Sequence, residues 1–134
     1  MSVGCTDLVS LETMYSYNPN FGAIPDFSPA GGTPSSTAVS DGGVACGWLQ
    51  QSSGDVIEIG ASSPPAAELA TRRAAVAGSG STSASGAEQF FDTSGGVGTA
   101  TVFSGGYWIV ASSPWFTTIG DAQPLIDSAV AALP

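Results

Sequence analysis

The sequence predicts an α+β fold, in which an antiparallel sheet of about five strands packs against about three helices and carries one disulfide. Stretches with strand-like alternation are joined by short glycine-rich turns, and three other stretches have apolar residues at helical spacing. The chain has 134 residues, which is long enough for one sizeable core. We therefore expect residues 1–134 to form a single domain.

The N-terminal part is predicted to be a helix followed by a long loop. Apolar side chains recur at helical spacing over Cys5–Tyr17, and Pro19 should end the helix, because the residue before a proline disfavours the helical conformation. The segment Phe21–Gly43 is rich in Pro, Gly, Ser and Thr, which is typical of a surface loop. We expect its two rings, Phe21 and Phe27, to turn inward.

The middle of the chain is predicted to form two strands and a helix. The strands cover Val44–Leu49 and Val56–Ala61, and the alternation in the second makes the face with Ile57 and Ile59 the buried one. A Ser-Ser-Pro-Pro run then signals a helix start, so that we expect a helix over Pro65–Ala77.

The last part is predicted to contain a flexible loop, three strands and a helix. The low-complexity stretch Ser79–Ala87 should be the loop. The predicted strands are Glu88–Asp92, Val97–Phe103 and Tyr107–Ser112. The final helix should be capped by Asp121 and run to Leu133, with an apolar stripe that must be buried against the sheet.

The net charge of the chain limits the classes of macromolecule that it is expected to bind. Eleven acidic residues stand against only two basic ones, Arg72 and Arg73, and with no Lys or His the net charge is −9. A nucleic-acid backbone and an anionic membrane surface both require several cationic contacts, which two adjacent arginines do not supply. We therefore expect no nucleic-acid partner, and the apolar runs are too short for a transmembrane segment.

The composition also points to export. Met1–Gly4 has neither the basic start nor the apolar core of a secretory signal. Few charges, many small and hydroxyl-bearing residues and two cysteines are together typical of the mature part of an exported protein. We expect an extracellular or cell-envelope location, with the signal segment absent from this chain.

The two cysteines, Cys5 and Cys46, favour a structural disulfide. Zinc requires about four Cys or His ligands, and redox-active pairs are usually close in sequence with a lowered pKa. We predict that the disulfide joins the N-terminal helix to the first strand, where Trp48 would lie on the same face as Cys46 and pack in the core. The alternative is that Cys5 carries a lipid, although Ser2 stands where that processing site usually has Leu, Val or Ile.

Catalytic chemistry lacks its usual partners in this sequence. No histidine or lysine is present to act as a base, and no G-x-S-x-G motif presents a serine nucleophile. The run Phe90–Gly95 is only superficially similar to an aspartic-protease signature, because Ser94 precedes the glycine and no second copy exists. Glu58 should lie on a solvated sheet face, and Asp41 belongs to a turn rather than to a calcium loop. We predict no catalytic residue, no metal site and no cofactor.

Aromatic residues are the remaining candidates for a functional surface. Four of them lie at predicted element ends or in loops, namely Tyr15, Tyr17, Trp115 and Phe116. Rings exposed at such places commonly bind sugars, peptides or protein surfaces. We predict a ligand or partner surface there, for a peptide, a glycan or an envelope protein. The alternative is that these rings fill the junction between the sheet and the last helix.

Nearly the whole chain resembles small exported, lipoprotein-like domains of unknown function from actinobacteria. The resemblance rests on an early Cys-x-x-Leu, a mid-chain Cys-Gly-Trp, a Phe-Phe pair before GTATVFSGGYWIVASS, and a terminal amphipathic helix. The matching residues are Cys5, Leu8, Cys46, Gly47, Trp48, Phe91, Gly98, Val102 and Trp108. It implies an α+β domain, a disulfide and an envelope location, and it supplies no catalytic residues.

Three functional hypotheses follow. The first is a non-enzymatic, exported binding domain for the cell envelope or the extracellular space. The second is an accessory or structural subunit of a surface assembly, in which the aromatic loops form the interface. The third and least favoured is a hydrolase that uses a pair of carboxylates, since eleven acids leave room for such a pair in space.

Overall fold

The computed structural model describes residues 3–76, 80–82 and 88–133 of the chain. In these residues it has five helices and seven strands, all antiparallel where they pair, which confirms the α+β prediction with two more helices and two more strands than expected. The helices are α1 (Cys5–Leu8), α2 (Leu11–Tyr17), α3 (Pro34–Ser40), α4 (Ala66–Val76) and α5 (Ile119–Ala132). The strands are β1 (Phe21–Ala23), β2 (Val44–Gln50), β3 (Val56–Ser62), β4 (Gly80–Thr82), β5 (Glu88–Ser94), β6 (Val97–Ser104) and β7 (Tyr107–Ser113).

The sheet consists of two meanders joined at their last strands. Its strand order is β1-β2-β3-β7-β6-β5-β4, so that β3 and β7, the ends of the two meanders, are neighbours in the middle. The pairing of Ile59 with Ala111 fixes the register at this junction. Because side chains alternate along a strand, each strand sends one set of residues to either face of the sheet.

Helices cover both faces of this sheet. On one face α1, α2 and α5 bury Leu8, Met14 and Leu125 against sheet residues that include Ile57 and Ile59, as the alternation in β3 predicted. On the other face α3 and α4 form a smaller core, whose buried members are Ala38, Leu69, Phe103, Trp108 and Val110. Apolar burial on both faces explains why Trp108 and its neighbours on β7 are buried in succession.

The single helix predicted over Cys5–Tyr17 is wrong, because the helix is interrupted after Leu8. Val9 is extended (φ −137°, ψ 109°) and buried, and Ser10 begins the second helix as its N-cap. The Ser10 hydroxyl oxygen accepts a hydrogen bond from the Thr13 backbone N–H at 3.0 Å. This hydrogen bond caps a new helix at Ser10. Because Val9 is extended, the residues of α2 do not continue the helical spacing of α1, and a different side of α2 is buried.

The long loop predicted over Phe21–Gly43 is also partly wrong, since it contains β1 and α3. The helix α3 begins with Pro34 in its first turn and with Thr33 as its N-cap. It packs Ala38 closely over Gly60, where an added Cβ would lie 3.0 Å from the Ala38 Cβ. Phe21 is buried as expected, whereas Phe27 is half-buried.

Two hairpins of the second meander have identical turn chemistry. Gly95-Gly96 joins β5 to β6 and Gly105-Gly106 joins β6 to β7, each as a two-residue loop between paired strand ends. All four glycines have positive φ, between 56° and 85°. Residues with side chains rarely adopt that conformation, which two-residue turns between twisted strands require.

The two later helices begin and end near their predicted bounds. The prediction Pro65–Ala77 is confirmed for Ala66–Val76, and the last helix begins before Asp121, with Thr118 as its N-cap. The predicted flexible loop Ser79–Ala87 is wrong for Gly80–Thr82, which form β4 and pair with β5. Residues 77–79 and 83–87 lie outside the described part of the chain.

The disulfide between Cys5 and Cys46 is present and joins α1 to β2, with a Cα–Cα distance of 5.6 Å. Cys5 therefore has no free sulfur to carry a lipid. Trp48 lies on the same sheet face as Cys46 and is 3% exposed, as predicted. Over the described ranges, none of the helices combines the length and hydropathy that crossing a membrane requires.

Candidate functional site

The four predicted aromatic residues do not share one environment. Tyr15 is 71% exposed on α2, whereas Phe116 is 1% exposed in the core. Tyr17 and Trp115 lie half-buried at the edge of the larger core. Phe116 thus offers no ring to a partner, and the structure brings only Tyr17 and Trp115 together.

Phe116 fills the junction between β7 and α5. Its backbone carbonyl and Cβ lie so close to Gly98 on β6 that no Cβ fits at position 98. The ring joins the core that contains Leu125 and Ile126 of α5. This is the packing role that was the alternative for the loop aromatics, and for Phe116 the structure supports it.

Tyr17 and Trp115 form a ring cluster around Phe21. The Tyr17 and Phe21 centroids are 6.1 Å apart, and the Trp115 ring meets Phe21 edge-on at 5.3 Å. Edge-to-face geometry is favourable for aromatic pairs. The cluster packs where α2, β1 and the loop before α5 meet.

The Tyr17 hydroxyl fastens α2 to the start of α5. It donates a hydrogen bond to the Asp121 backbone carbonyl at 2.6 Å, and the Trp115 indole N–H hydrogen-bonds to it. Burial, and to a lesser extent the negative charge of Asp121, raises the pKa of Tyr17 to about 12. The phenol is therefore neutral at physiological pH and serves as a positioning group rather than as an acid or base.

The exposed side of α2 presents two large apolar side chains. Leu11 is 69% exposed and Tyr15 is 71% exposed, and they lie one helical turn apart on the same side of the helix. We call this pair the α2 stripe. Sequence reasoning identified Tyr15 as a candidate because it is aromatic, and it missed Leu11, which it treated only as part of the helical spacing over Cys5–Tyr17. The serine at position 10, a favoured N-cap residue, was the signal for the break.

A groove lies between α2 and α5, and neither Leu11 nor Tyr15 lines it. Its volume is about 480 Å³ and it is lined by Ser10, Glu12, Thr13, Ser16, Tyr17 and Pro124. At about 100° per residue along a helix, Glu12 is positioned between the α2 stripe and the groove. This α2–α5 groove therefore combines hydroxyl groups, one phenol ring and one exposed carboxylate.

A second cavity, of about 350 Å³, opens on the other face of the sheet. Its lining includes Asp55, which directly precedes β3, together with Glu58 of β3 and Ser112 of β7. Glu58 is half-buried rather than solvated as predicted, and its Oε1 atom is buried without a hydrogen-bond partner. Within residues 3–76, 80–82 and 88–133, no three acidic, histidine or cysteine side chains come together to hold a metal ion.

The two basic residues of the chain, Arg72 and Arg73, are neighbours on α4, and both form ion pairs with acidic side chains. Arg72 binds Asp41 and Glu68, and Arg73 lies 2.9 Å from Glu88. The Arg72 guanidinium also stacks over the Trp108 ring at 4.4 Å. These contacts link α3, α4 and the sheet, so the two arginines have a structural role.

The chain was compared with protein-family models, with curated proteins and with solved structures. No family model, no curated protein and no solved structure matches it. The candidate site therefore rests on the geometry of the α2 stripe and the α2–α5 groove.

Proposed function

We propose that this chain is an exported, non-enzymatic binding domain that holds its partner on the α2 stripe and the α2–α5 groove. One observation carries the proposal: Leu11 and Tyr15 lie one turn apart and are each about seven-tenths exposed, while Met14 on the other side of α2 is buried. Single exposed apolar residues are common on protein surfaces, but a leucine and a tyrosine exposed together on one side of a helix are typical of a contact site.

The surroundings of the stripe support a preformed contact surface. The ring cluster of Tyr17, Phe21 and Trp115 fixes the base of α2, and the Tyr17 hydroxyl is held by α5. A rigid surface loses little conformational freedom on binding, which favours affinity. In this proposal Tyr17 and Trp115 position the helix, and Leu11 and Tyr15 make the contact.

Location outside the cytoplasm is part of the proposal and rests on three features. Disulfides such as Cys5–Cys46 persist in oxidising compartments and are rare where thiols are kept reduced. The composition, with few charges and many small polar residues, is typical of exported proteins. The resemblance to actinobacterial lipoprotein-like domains points to the same place.

The experiment is site-specific photo-crosslinking in the native envelope. A benzophenone-bearing amino acid replaces Tyr15 or, as a matched control, replaces Val39, which is 48% exposed on α3 on the other side of the sheet. We expect a discrete crosslinked product from position 15, which Leu11→Ala removes, and none from position 39. The same products at both positions, or none at position 15, would refute the proposed surface.

A further inference from the structure

The charges of the chain are divided unequally between its two helical layers. Both arginines lie on α4, where Asp41, Glu68 and Glu88 occupy them. The layer of α1, α2 and α5 has no basic residue and four acidic ones: Asp7, Glu12, Asp121 and Asp127. The helical layer that presents the α2 stripe therefore carries only negative side-chain charges.

Within this layer Glu12 is the carboxylate best placed to meet a ligand. It lines the α2–α5 groove and is exposed. Asp121 is already engaged, since its Oδ2 accepts hydrogen bonds from Thr117 and Thr118 at the start of α5. Asp127 accepts one from the Gln123 amide at 2.8 Å. Glu12 is therefore the carboxylate next to the stripe whose oxygens accept no hydrogen bond from another described residue.

A second copy of the chain fits this surface poorly. Each copy has a net charge of −9, and a contact between two α2 stripes would place the Glu12 carboxylates of both copies near one another. Like-charge repulsion of this kind is a recognised means of suppressing wrong partners. An anionic membrane is opposed for the same reason.

We infer that the partner is a basic polypeptide segment with at least one large apolar side chain. Its apolar side chain packs on Leu11 and Tyr15, while its Lys or Arg pairs with Glu12 at the mouth of the α2–α5 groove. The inference rests on the proposed function, because it names the class of partner that the same surface binds. Interfaces pair apolar groups with apolar groups and negative charges with positive ones, so an apolar pair among acidic residues is complementary to an apolar side chain among basic residues.

The test uses the whole chain and three fluorescein-labelled peptides of equal length. One alternates Lys with Leu, one alternates Glu with Leu, and one alternates Lys with Ser. Fluorescence anisotropy should show binding of the Lys-Leu peptide alone, with affinity that falls as the salt concentration rises past about 0.1 M, where charges are screened within about 10 Å. Equal binding of the Glu-Leu peptide would overturn the charge argument, and equal binding of the Lys-Ser peptide would overturn the role of the stripe.

Matched variants separate a docking site from the general attraction of an acidic protein for basic peptides. Tyr15→Ala should weaken the Lys-Leu peptide roughly tenfold, as loss of an aromatic anchor does, and Val39→Ala should not. Glu12→Gln should weaken it roughly two- to fivefold, whereas Asp92→Asn, which removes an exposed charge on β5, should leave it unchanged. Equal losses in Glu12→Gln and Asp92→Asn would overturn the inference.

The outcomes also distinguish this inference from the proposed function. If position 15 crosslinks to a partner in the envelope but the Lys-Leu peptide does not bind, the binding surface stands and the basic partner is wrong. If neither is seen, the surface itself is wrong.

Discussion

Arg72 and Asp41 form a two-pronged ion pair that joins α4 to the end of α3. The Nη1–Oδ2 and Nη2–Oδ1 distances are 2.8 Å and 3.0 Å, and the Ser62 hydroxyl of β3 donates to the same carboxylate at 2.8 Å. The Trp108 ring lies against the guanidinium. Among the described residues, the smaller core contains only five buried apolar ones, and this pair adds polar contacts among α3, α4 and β3 at its edge.

Asp41→Asn should therefore destabilise the fold. The side chains of Asp41 and Arg72 are 16% and 15% exposed, so that loss of the carboxylate leaves a mostly buried cation incompletely paired. We expect a loss of about 1–2 kcal/mol in the free energy of unfolding, less than the value for a fully buried pair because solvent still screens this one. Urea unfolding measures it.

Glu88→Gln provides the matched control for that variant. Glu88 pairs with Arg73, and the two side chains are 51% and 42% exposed. An exposed pair contributes little, so a change below about 0.5 kcal/mol is expected. A loss in Glu88→Gln as large as that in Asp41→Asn would contradict the role assigned to the Arg72–Asp41 pair.

Acid should destabilise the protein through the same carboxylate. Hydrogen bonding from Arg72, and then from Ser62, holds the pKa of Asp41 below its ordinary value of 3.8. A carboxylate whose pKa is lower in the folded state contributes stability above its unfolded pKa and loses it as the pH falls through the folded pKa. Unfolding free energies measured from pH 7 down to about pH 2.5 should fall below about pH 4.

Asp41→Asn should flatten that acid-induced loss, since the substituted amide does not titrate. Asp121 will still contribute, because hydrogen bonds from Thr117 and Thr118 also lower its pKa. The difference between wild type and variant therefore reports on Asp41 alone. If the unfolding free energies of wild type and Asp41→Asn fell in parallel from pH 5 to pH 2.5, the Arg72–Asp41 pair would not be the cause of the acid-induced loss of stability.

Tyr17→Phe should loosen the contact between α2 and α5. The substitution removes the hydrogen bond to the Asp121 carbonyl and leaves the Trp115 indole N–H without that partner. We expect a loss of about 1–2 kcal/mol, the usual cost of leaving buried polar groups unpaired. Thermal or urea unfolding measures it, and Tyr15→Phe, at an exposed position, should change nothing.

An absorbance titration gives an independent check on Tyr17. Its pKa is raised to about 12, so that ionisation of this phenol should occur well above the ordinary value of 10.0. Comparison of wild type with Tyr17→Phe isolates its contribution near 295 nm from that of the other two tyrosines. Early ionisation of Tyr17, at pH 10 or below, would mean that the hydroxyl is not buried as described.

Removal of the disulfide should lower the free energy of unfolding more than Asp41→Asn or Tyr17→Phe does. Cys5 and Cys46 are 41 residues apart, and closing a loop of that length restricts the unfolded chain by about 4 kcal/mol in the chain-entropy estimate. The Cys5→Ala, Cys46→Ala double variant should show a loss of this order in urea unfolding. Thiol counting on the denatured, unreduced protein should find no free thiol, and two free thiols would disprove the bond.

Elements with strong local signals were predictable from sequence. The alternation around Ile57 and Ile59, the Gly105-Gly106 turn and the apolar stripe of α5 each follow from side-chain period or from turn chemistry. The disulfide followed from the absence of any other use for Cys5 and Cys46. In these cases the local pattern and the tertiary environment agree.

Elements held by distant partners were not predictable. The three-residue strand β1 exists because Phe21 pairs with Gln50 of β2, a contact that local sequence does not encode. The helix α3 packs through small residues, Ala38 and Ser35, against Gly60, and small residues give little hydrophobic signal. The candidate site was half predictable, because Tyr15 stood out as an aromatic while the exposure of Leu11 depends on the break at Val9.

That break makes Ser10 a residue on which the candidate site depends. Its hydroxyl caps α2 through the Thr13 N–H, and Ser10→Ala should cost about 1 kcal/mol and loosen the first turn, where Leu11 lies. Thr6→Ala, which removes an exposed hydroxyl of α1 away from the cap and from the groove lining, is the control. We expect faster amide hydrogen exchange over α2 in Ser10→Ala only, together with a weaker position-15 crosslink. Unchanged exchange in α2 would mean that burial of Val9 and Met14, rather than the cap, sets the direction of the helix and the exposure of its stripe.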